Sequence, residues 1–170
     1  HAPYCGNIGI SPLEYMGKEN DFYVIEASSY QLNYANTCAP RVGIFCNLTP
    51  DHILWHKTIE NYFEAKAKPF RNMSENDNAI LNYDDEYTKK LGEEIKAKVY
   101  YFSLSRQNIP NCIYLENNKI VFENEEKYHA TKEELRHLGI ISIALCGIIA
   151  GILMLTTSDE KLTSEVDNRN

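Results

Sequence analysis

The segment RVGIFCNLTPDHILWHKTIENYFEAKAKPFRNMSENDNAILN, residues 41–82, decides the class of fold. Residues 41–47 are an apolar, strand-like run, residues 58–73 follow a helical pattern, and residues 78–82 are again strand-like. A strand, a helix and a second strand in succession predict two parallel strands joined by a crossover helix.

The same alternation continues on both sides of this segment. Residues 22–27 form another apolar strand pattern, residues 84–95 a helix with acidic residues in its first turn, and residues 99–103 a further strand. We therefore predict an α/β fold, with a mostly parallel sheet flanked by helices. Beyond Pro110, two strand patterns flank Asn117-Asn118, a suitable two-residue turn, and predict a small antiparallel hairpin appended to this sheet.

Chain length, net charge and cysteine pattern limit the classes of protein to which the chain can belong. The 170 residues suffice for one domain, and a net charge of -7 argues against a nucleic-acid binder, which needs a basic surface. The five cysteines contain no Cys-x-x-Cys pair, which favours free thiols in a reducing, cytoplasmic compartment (Cys5, Cys38, Cys46, Cys112 and Cys146). The chain shows no secretion signal, lacks an initiator methionine and begins in a loop-like stretch, so we expect a fragment of a longer protein.

Residues 139–157 contain no charged side chain. This length is at the threshold for a membrane span, and Gly147 and Gly151 have the spacing that lets two helices approach closely. The alternative is a helix buried on all sides within an α/β domain. We expect the buried helix, since nothing else in the sequence indicates a membrane protein.

Two polar stretches in the first 31 residues are candidate sites. Gly6-Asn-Ile-Gly9 can bring backbone amides close to an anion, or can be an ordinary turn. Glu26-Ala-Ser-Ser-Tyr-Gln31 follows an apolar strand, where a buried carboxylate needs a cation or hydrogen-bond donors. Glu26 is therefore a candidate metal ligand, while Ser28 or Ser29 can cap a helix that starts near Tyr30.

Two further candidates lie in residues 47–66. Asn47-Leu-Thr-Pro-Asp-His52 again follows an apolar strand; its histidine can contact a metal or an anionic substrate, or make a structural hydrogen bond. Lys66 falls on the apolar stripe of the predicted helix. Its ammonium can reach water from a buried stem, or burial can lower its pKa and free the amine for chemistry.

Taken together, these stretches resemble the Mur ligase family. The resemblance runs from Cys5 to about Asp85 and is carried by Gly6-Asn-Ile-Gly9, Glu26-x-Ser-Ser-Tyr-Gln-Leu32, Asn47-x-Thr-Pro-Asp-His52, His56-Lys-Thr-Ile-Glu-Asn-Tyr62, Ala65-Lys66 and Asn82-Tyr-Asp-Asp85. The run Ser-Ser-Tyr-Gln-Leu is typical of the branch that adds D-glutamate to a nucleotide-linked cell-wall precursor. The resemblance implies that residues 1–170 are part of the family's central ATPase domain, which has a P-loop-type α/β fold.

The resemblance also implies a reaction and roles for particular residues. The reaction is ATP-dependent amide synthesis through an acyl-phosphate, with UDP-N-acetylmuramoyl-L-alanine and D-glutamate as substrates and two Mg²⁺ ions. Glu26 matches a ligand of the first magnesium, whereas His52 and a carbamylated Lys66 match groups that serve the second and act in catalysis. The positions of Asn7, Ser28 and Gln31 match substrate contacts.

The sequence departs from the family pattern at several points. It contains no Gly-x-x-Gly-Lys-Ser/Thr phosphate loop, which the family carries just upstream of the position of His1. We expect the UDP-binding domain, this loop and the D-glutamate-binding domain to be absent from the chain. Leu54 stands where the family usually has a second aspartate, and residues 139–157 lack the family's adenine-contacting His-Asn-x-x-Asn stretch.

These departures leave two alternatives open. The chain can be a degenerate, non-catalytic or membrane-associated module that keeps the fold, or part of a sibling ligase such as a folate polyglutamylating enzyme. We expect the fragment of a ligase, inactive by itself.

Overall fold

The computed structural model describes residues 3–20, 22–116, 119–123 and 127–129. The chain divides into two compact units. The first comprises His1–Pro40 and Thr49–Met73, and the second comprises Arg41–Leu48 and Ser74–Asn170.

The first unit contains a two-stranded parallel sheet and three α-helices. Strand β1 (Tyr4–Gly6) pairs with β2 (Val24–Glu26), so that Gly6 lies opposite Glu26. The helices are α1 (Ser29–Tyr34), α2 (Ile53–His56) and α3 (Ile59–Arg71), and both α1 and α2 pack on α3. A 3₁₀ turn, Pro12–Tyr15, lies between the two strands in sequence.

The second unit is a six-stranded sheet with one described helix. Its strands follow the chain order: β3 (Val42–Phe45), β4 (Asn78–Asn82), β5 (Lys98–Ser103), β6 (Cys112–Glu116), β7 (Lys119–Glu123) and β8 (Lys127–His129). The pairs from β3 to β6 are parallel, whereas β6, β7 and β8 pair antiparallel. Helix α4 (Glu86–Glu94) connects β4 to β5 and packs on β4.

Local sequence explains where the two longest helices of the described residues begin. The Thr58 hydroxyl accepts the Asn61 amide at 3.1 Å and caps α3. The Asp85 carboxylate caps α4 by accepting the Thr88 amide at 2.9 Å, and it also accepts the Leu48 amide at 2.8 Å. Asp85 therefore joins the start of α4 to the loop that follows β3.

The predicted α/β fold with a mostly parallel sheet is confirmed. The helix at 58–73 and the strands at 78–82 and 99–103 appear close to their predicted bounds, whereas the strands predicted at 22–27 and 41–47 are shorter. Strands β1 and β8 and helix α2 were not predicted, because three or four residues are too few for a periodic pattern.

The antiparallel hairpin predicted beyond Pro110 is confirmed, and it is joined directly to the parallel sheet. Strand β6 also pairs in parallel with β5, so the hairpin extends the main sheet. Its side chains explain why, since Cys112, Tyr114 and Val121 are buried together and Tyr101 of β5 packs against them. Burial of these side chains favours a continuous sheet over a separate hairpin.

Some sequence predictions fall outside the described residues. These are the Asn117-Asn118 turn, the apolar residues 139–157 and Cys146. Within the described part of the chain, no helix is long and apolar enough to cross a membrane. The four described cysteines, Cys5, Cys38, Cys46 and Cys112, form no disulfide bond with one another.

Candidate active site

Glu26, at the carboxyl end of β2, is held by two side-chain donors. The Tyr4 hydroxyl donates to its Oε2 at 2.8 Å, and the Asn7 amide donates to its Oε1 at 3.0 Å. The pKa of Tyr4 is raised, chiefly because its hydroxyl donates to this carboxylate and an ionised phenol would repel it. The carboxylate is therefore oriented by partners that lie 22 and 19 residues before it in the sequence.

The turn around Gly6 fixes the backbone beside this carboxylate. The backbone amide of Asn7 donates to the Glu26 carbonyl at 2.8 Å, and the backbone amide of Gly6 donates to the Ile10 carbonyl at 2.9 Å. Gly6 has φ +114°, and a Cβ at this position would lie 2.1 Å from the Glu26 carbonyl oxygen. Two amides of Gly6-Asn-Ile-Gly9 thus bond within the protein, which favours the turn over an anion-binding role for them.

The predicted cap of the helix near Tyr30 is present at Ser28. The Gln31 amide donates to the Ser28 hydroxyl at 3.4 Å, while the Gln31 side-chain oxygen accepts the Ser28 amide at 2.9 Å. Ser28 and Gln31 were predicted as substrate contacts. Their bonds to each other fix the first turn of α1, which begins three residues after Glu26.

His52 immediately precedes α2 in a left-handed conformation, with φ 55° and ψ 22°. This conformation is strained for a residue with a side chain, and such strain is concentrated at functional sites. The Asp51 carboxylate accepts the His52 amide at 2.7 Å and lies 3.3 Å from Nδ1. The His52 side chain remains 40% exposed, and its ring centroid lies 4.9 Å from that of Tyr30. It is both oriented and accessible.

His56 is buried, with 4% of its surface exposed. Its Nε2 lies 2.9 Å from the hydroxyl of Ser29, which is 3% exposed. The pKa of His56 is lowered, first by burial and then by the charges of His52 and Lys66, so the neutral imidazole is favoured. Local sequence patterns do not predict the bond between Ser29 and His56, because 27 residues separate them.

Lys66 lies on the apolar face of α3, as its spacing predicted. It is half-buried between the buried residues Ala65 and Ala67, and its Nζ lies 5.3 Å from the centroid of the Tyr62 ring. Tyr62 is itself buried, and its pKa is raised by burial and then by Asp51 and Tyr30. The ring face attracts the Lys66 ammonium. A lowered pKa of Lys66 stays a prediction.

A surface cleft of about 400 Å³ adjoins this region but does not coincide with the predicted site. Its lining includes His56 but not Glu26, His52 or Lys66. The other residues of the lining are Asn33, Trp55, Asn61, Glu64, Ala65 and Lys68. The Lys68 ammonium bonds the Asn33 carbonyl at 2.5 Å and the Asn36 side chain at 3.0 Å, so it serves the packing of α1 on α3.

Comparison of the sequence with those of known proteins identifies the family of this chain. The sequence model of the Mur ligase middle domain matches residues 10–148, a range that includes Glu26, His52 and Lys66. The chain belongs to the Mur ligase family.

Two curated relatives are UDP-N-acetylmuramoylalanine–D-glutamate ligases. The protein of Alkaliphilus metalliredigens is 43% identical over 124 residues, which cover 72% of this chain and 27% of that relative. The protein of Thermoanaerobacter sp. (strain X514) is 35% identical over 167 residues, covering 89% of this chain and 36% of that protein. The chain thus spans about a quarter to a third of the length of these Mur ligases.

A solved structure of another Mur ligase supports the fold alone. It is a UDP-N-acetylmuramoyl-L-alanyl-D-glutamate–2,6-diaminopimelate ligase, 24% identical, with a TM-score of 0.50. The superposition covers 65% of this chain and 25% of that chain.

The described side chains of this Mur ligase domain offer Mg²⁺ few protein ligands. Among the described residues, no three His, Cys, Asp or Glu side chains form a group that could hold a metal. Mg²⁺ commonly takes one or two protein carboxylates and completes its shell with water and substrate phosphates. The oriented carboxylate of Glu26 can serve as a single protein ligand of this kind. The described side chains do not form a site that would bind Mg²⁺ through protein ligands alone.

Proposed function

We propose that the chain is the central part of an ATP-dependent ligase. The enzyme joins D-glutamate to UDP-N-acetylmuramoyl-L-alanine in the cytoplasm, in the synthesis of peptidoglycan. The observation that carries this proposal is the 43% identity to a D-glutamate ligase, within a family match that includes Glu26, His52 and Lys66. The chain matches only 27% of that relative, so we assign the phosphate loop and the D-glutamate-binding domain to other parts of the enzyme.

The reaction has two steps. A carboxylate oxygen of UDP-N-acetylmuramoyl-L-alanine attacks the γ-phosphorus of ATP, giving an acyl-phosphate and ADP. The amine of D-glutamate then attacks the acyl carbon, loses a proton and displaces phosphate, leaving the amide. Two magnesium ions, when bound, offset the repulsion between the reacting anions.

The residues of this chain act by holding and orienting these groups. Tyr4 and Asn7 fix the Glu26 carboxylate, which is the proposed ligand of the magnesium shared with the ATP phosphates. His52, exposed and oriented by Asp51, is the proposed partner of Lys66 at the second magnesium. Asn7, Ser28 and Gln31 are the proposed contacts to the UDP-linked substrate.

Lys66 has the most specific proposed role. Its neutral amine takes up CO₂ and loses a proton, giving a carbamate whose oxygens are the hard ligands that Mg²⁺ prefers. The Tyr62 ring favours the ammonium over the carbamate, because a ring face attracts a cation. We therefore expect Lys66 to be unmodified in protein freed of bicarbonate.

The test of this function is Lys66→Ala in the protein expressed from its complete gene. We expect the rate of D-glutamate addition to fall at least about 100-fold, as when a group that stabilises transition-state charge is removed. Short carboxylic acids should restore part of this rate by replacing the carbamate. Lys89→Ala is the matched control, since Lys89 also lies over a tyrosine ring, at 4.1 Å from Tyr83, but in the second unit.

Three outcomes are informative. Unchanged activity in Lys66→Ala would refute the role of this lysine. Activity of the wild-type protein with L-glutamate on a folate, and none with D-glutamate, would favour the folate-type sibling. No activity with any amino acid would favour a non-catalytic module.

A further inference from the structure

Ser29 and His56 are two buried polar residues with no role in the proposed reaction. Ser29 is the first residue of α1, three residues after Glu26, and His56 is the last residue of α2, four residues after His52. Their side chains meet at 2.9 Å and are 3% and 4% exposed. Because a buried polar group without a partner is costly, each side chain strongly favours the position that preserves this bond.

The imidazole of His56 is also packed among aromatic rings that contact the predicted catalytic side chains. Its centroid lies 5.8 Å from Tyr30, in a stacked arrangement, and 5.2 Å from Tyr62. Tyr30 contacts the His52 ring at 4.9 Å, and the Tyr62 ring lies beneath the Lys66 ammonium. A displacement of His56 would therefore shift the two tyrosine rings that contact His52 and Lys66.

The backbone of His56 provides a second connection to α3. The Asn61 side chain donates to the His56 carbonyl at 2.9 Å, and Asn61 lies in the first turn of the helix that carries Lys66. Thus α1, α2 and α3 are joined at one residue, through its ring nitrogen on one side and its carbonyl on the other.

We propose that the buried bond between Ser29 and His56 is a positioning link, which sets Lys66 and His52 relative to the strand end that carries Glu26. The inference rests on the proposed function, because it assigns the link to the alignment of those three residues. We assign neither Ser29 nor His56 a contact with the reacting atoms. A displacement of about 1 Å in such a support can lower a rate by about 100-fold.

The experiment compares variants of the protein expressed from its complete gene. Ser29→Ala removes the hydroxyl, and His56→Phe keeps an aromatic ring but removes the nitrogen. Ser29→Thr keeps a hydroxyl and is the conservative variant. Thr88→Val is the matched control, because Thr88 is fully buried and its hydroxyl donates to the Asn82 carbonyl at 2.6 Å in the second unit.

We expect kcat to fall about 10- to 100-fold in Ser29→Ala and His56→Phe at a temperature where both are folded. The KM for ATP should change less than kcat, and Ser29→Thr should recover most of the rate. The double variant should be no slower than the slower single variant, because both changes break one bond. A kcat that is unchanged in the single variants, or lowered equally in Thr88→Val, would overturn the proposal.

A second measurement does not depend on the ligase reaction. Trace acetylation followed by mass spectrometry gives the reactivity of the Lys66 amine relative to Lys89 in the same sample. We expect this ratio to change about two- to fivefold in Ser29→Ala and His56→Phe, the range set by loss of a ring contact. An unchanged ratio would refute the positioning link even if the wild-type protein proved inactive, and wild-type inactivity alone would refute only the proposed function.

Discussion

Gly6→Ala is expected to displace the backbone of Glu26, whereas Gly9→Ala in the same turn is not. The added Cβ would lie 2.1 Å from the Glu26 carbonyl oxygen, whereas real contacts of this type are at least 3.0 Å long. The two strands must therefore separate locally by roughly 1 Å. Such a movement breaks the bond from the Asn7 amide to the Glu26 carbonyl, which is 2.8 Å long.

The magnitude follows from two contributions. A side chain at φ +114° costs about 1–2 kcal/mol, and the lost hydrogen bond costs about 1 kcal/mol more, for a total of about 2–3 kcal/mol. Gly9 is the matched control, because it also has positive φ, +84°, but an added Cβ there meets no atom within 4 Å. Gly9→Ala should therefore cost only the conformational part, about 1–2 kcal/mol.

Urea unfolding of the 170-residue chain, followed by circular dichroism, measures the difference. With a slope of about 2 kcal/mol per molar urea, the midpoint should fall by about 1–1.5 M in Gly6→Ala and by about 0.5–1 M in Gly9→Ala, a difference of about 0.5 M between matched variants. In the complete protein, kcat should fall further in Gly6→Ala, because the Glu26 carboxylate moves with its backbone. Equal unfolding midpoints for the two variants would show that the contact with Glu26 does not govern this turn.

Two further predictions concern stability. His56 has a lowered pKa in the folded state, so the unfolded chain binds more protons below pH of about 6.5, and stability should be lost as pH falls from there toward the folded pKa. Thermal unfolding between pH 7.5 and 5 checks this, and a His56→Phe variant with the same pH dependence would contradict it. Asp85→Ala removes the acceptor of two backbone amides and should lower the free energy of unfolding by about 1–2 kcal/mol, measured in urea. Glu86→Ala, on the exposed first turn of the same helix, should change it by less than about 0.5 kcal/mol, and equal losses would exclude a capping role for Asp85.

The sequence alone predicted the class of fold and its family. The strand and helix patterns in residues 41–82 depend on local alternation of apolar side chains, and this alternation is what burial against a sheet requires. The same patterns put Glu26 at a strand end and Lys66 on the apolar face of a helix. These two assignments are local in origin, and the structure has both residues at those positions.

Only the tertiary structure could supply the partners of these residues. Tyr4 and Asn7 reach Glu26 because β1 pairs with β2 in a register that sets Gly6 opposite Glu26. No periodic pattern encodes that register, since three-residue strands are too short to carry one.

The bond between Ser29 and His56 depends in the same way on the packing of helices. It joins residues that are 27 positions apart, and neither residue type predicts the other. Local sequence determines which side chains turn inward, because secondary structure forms over a few residues. Which inward side chains meet is decided by how distant segments pack, and in this chain that packing supports Glu26, His52 and Lys66.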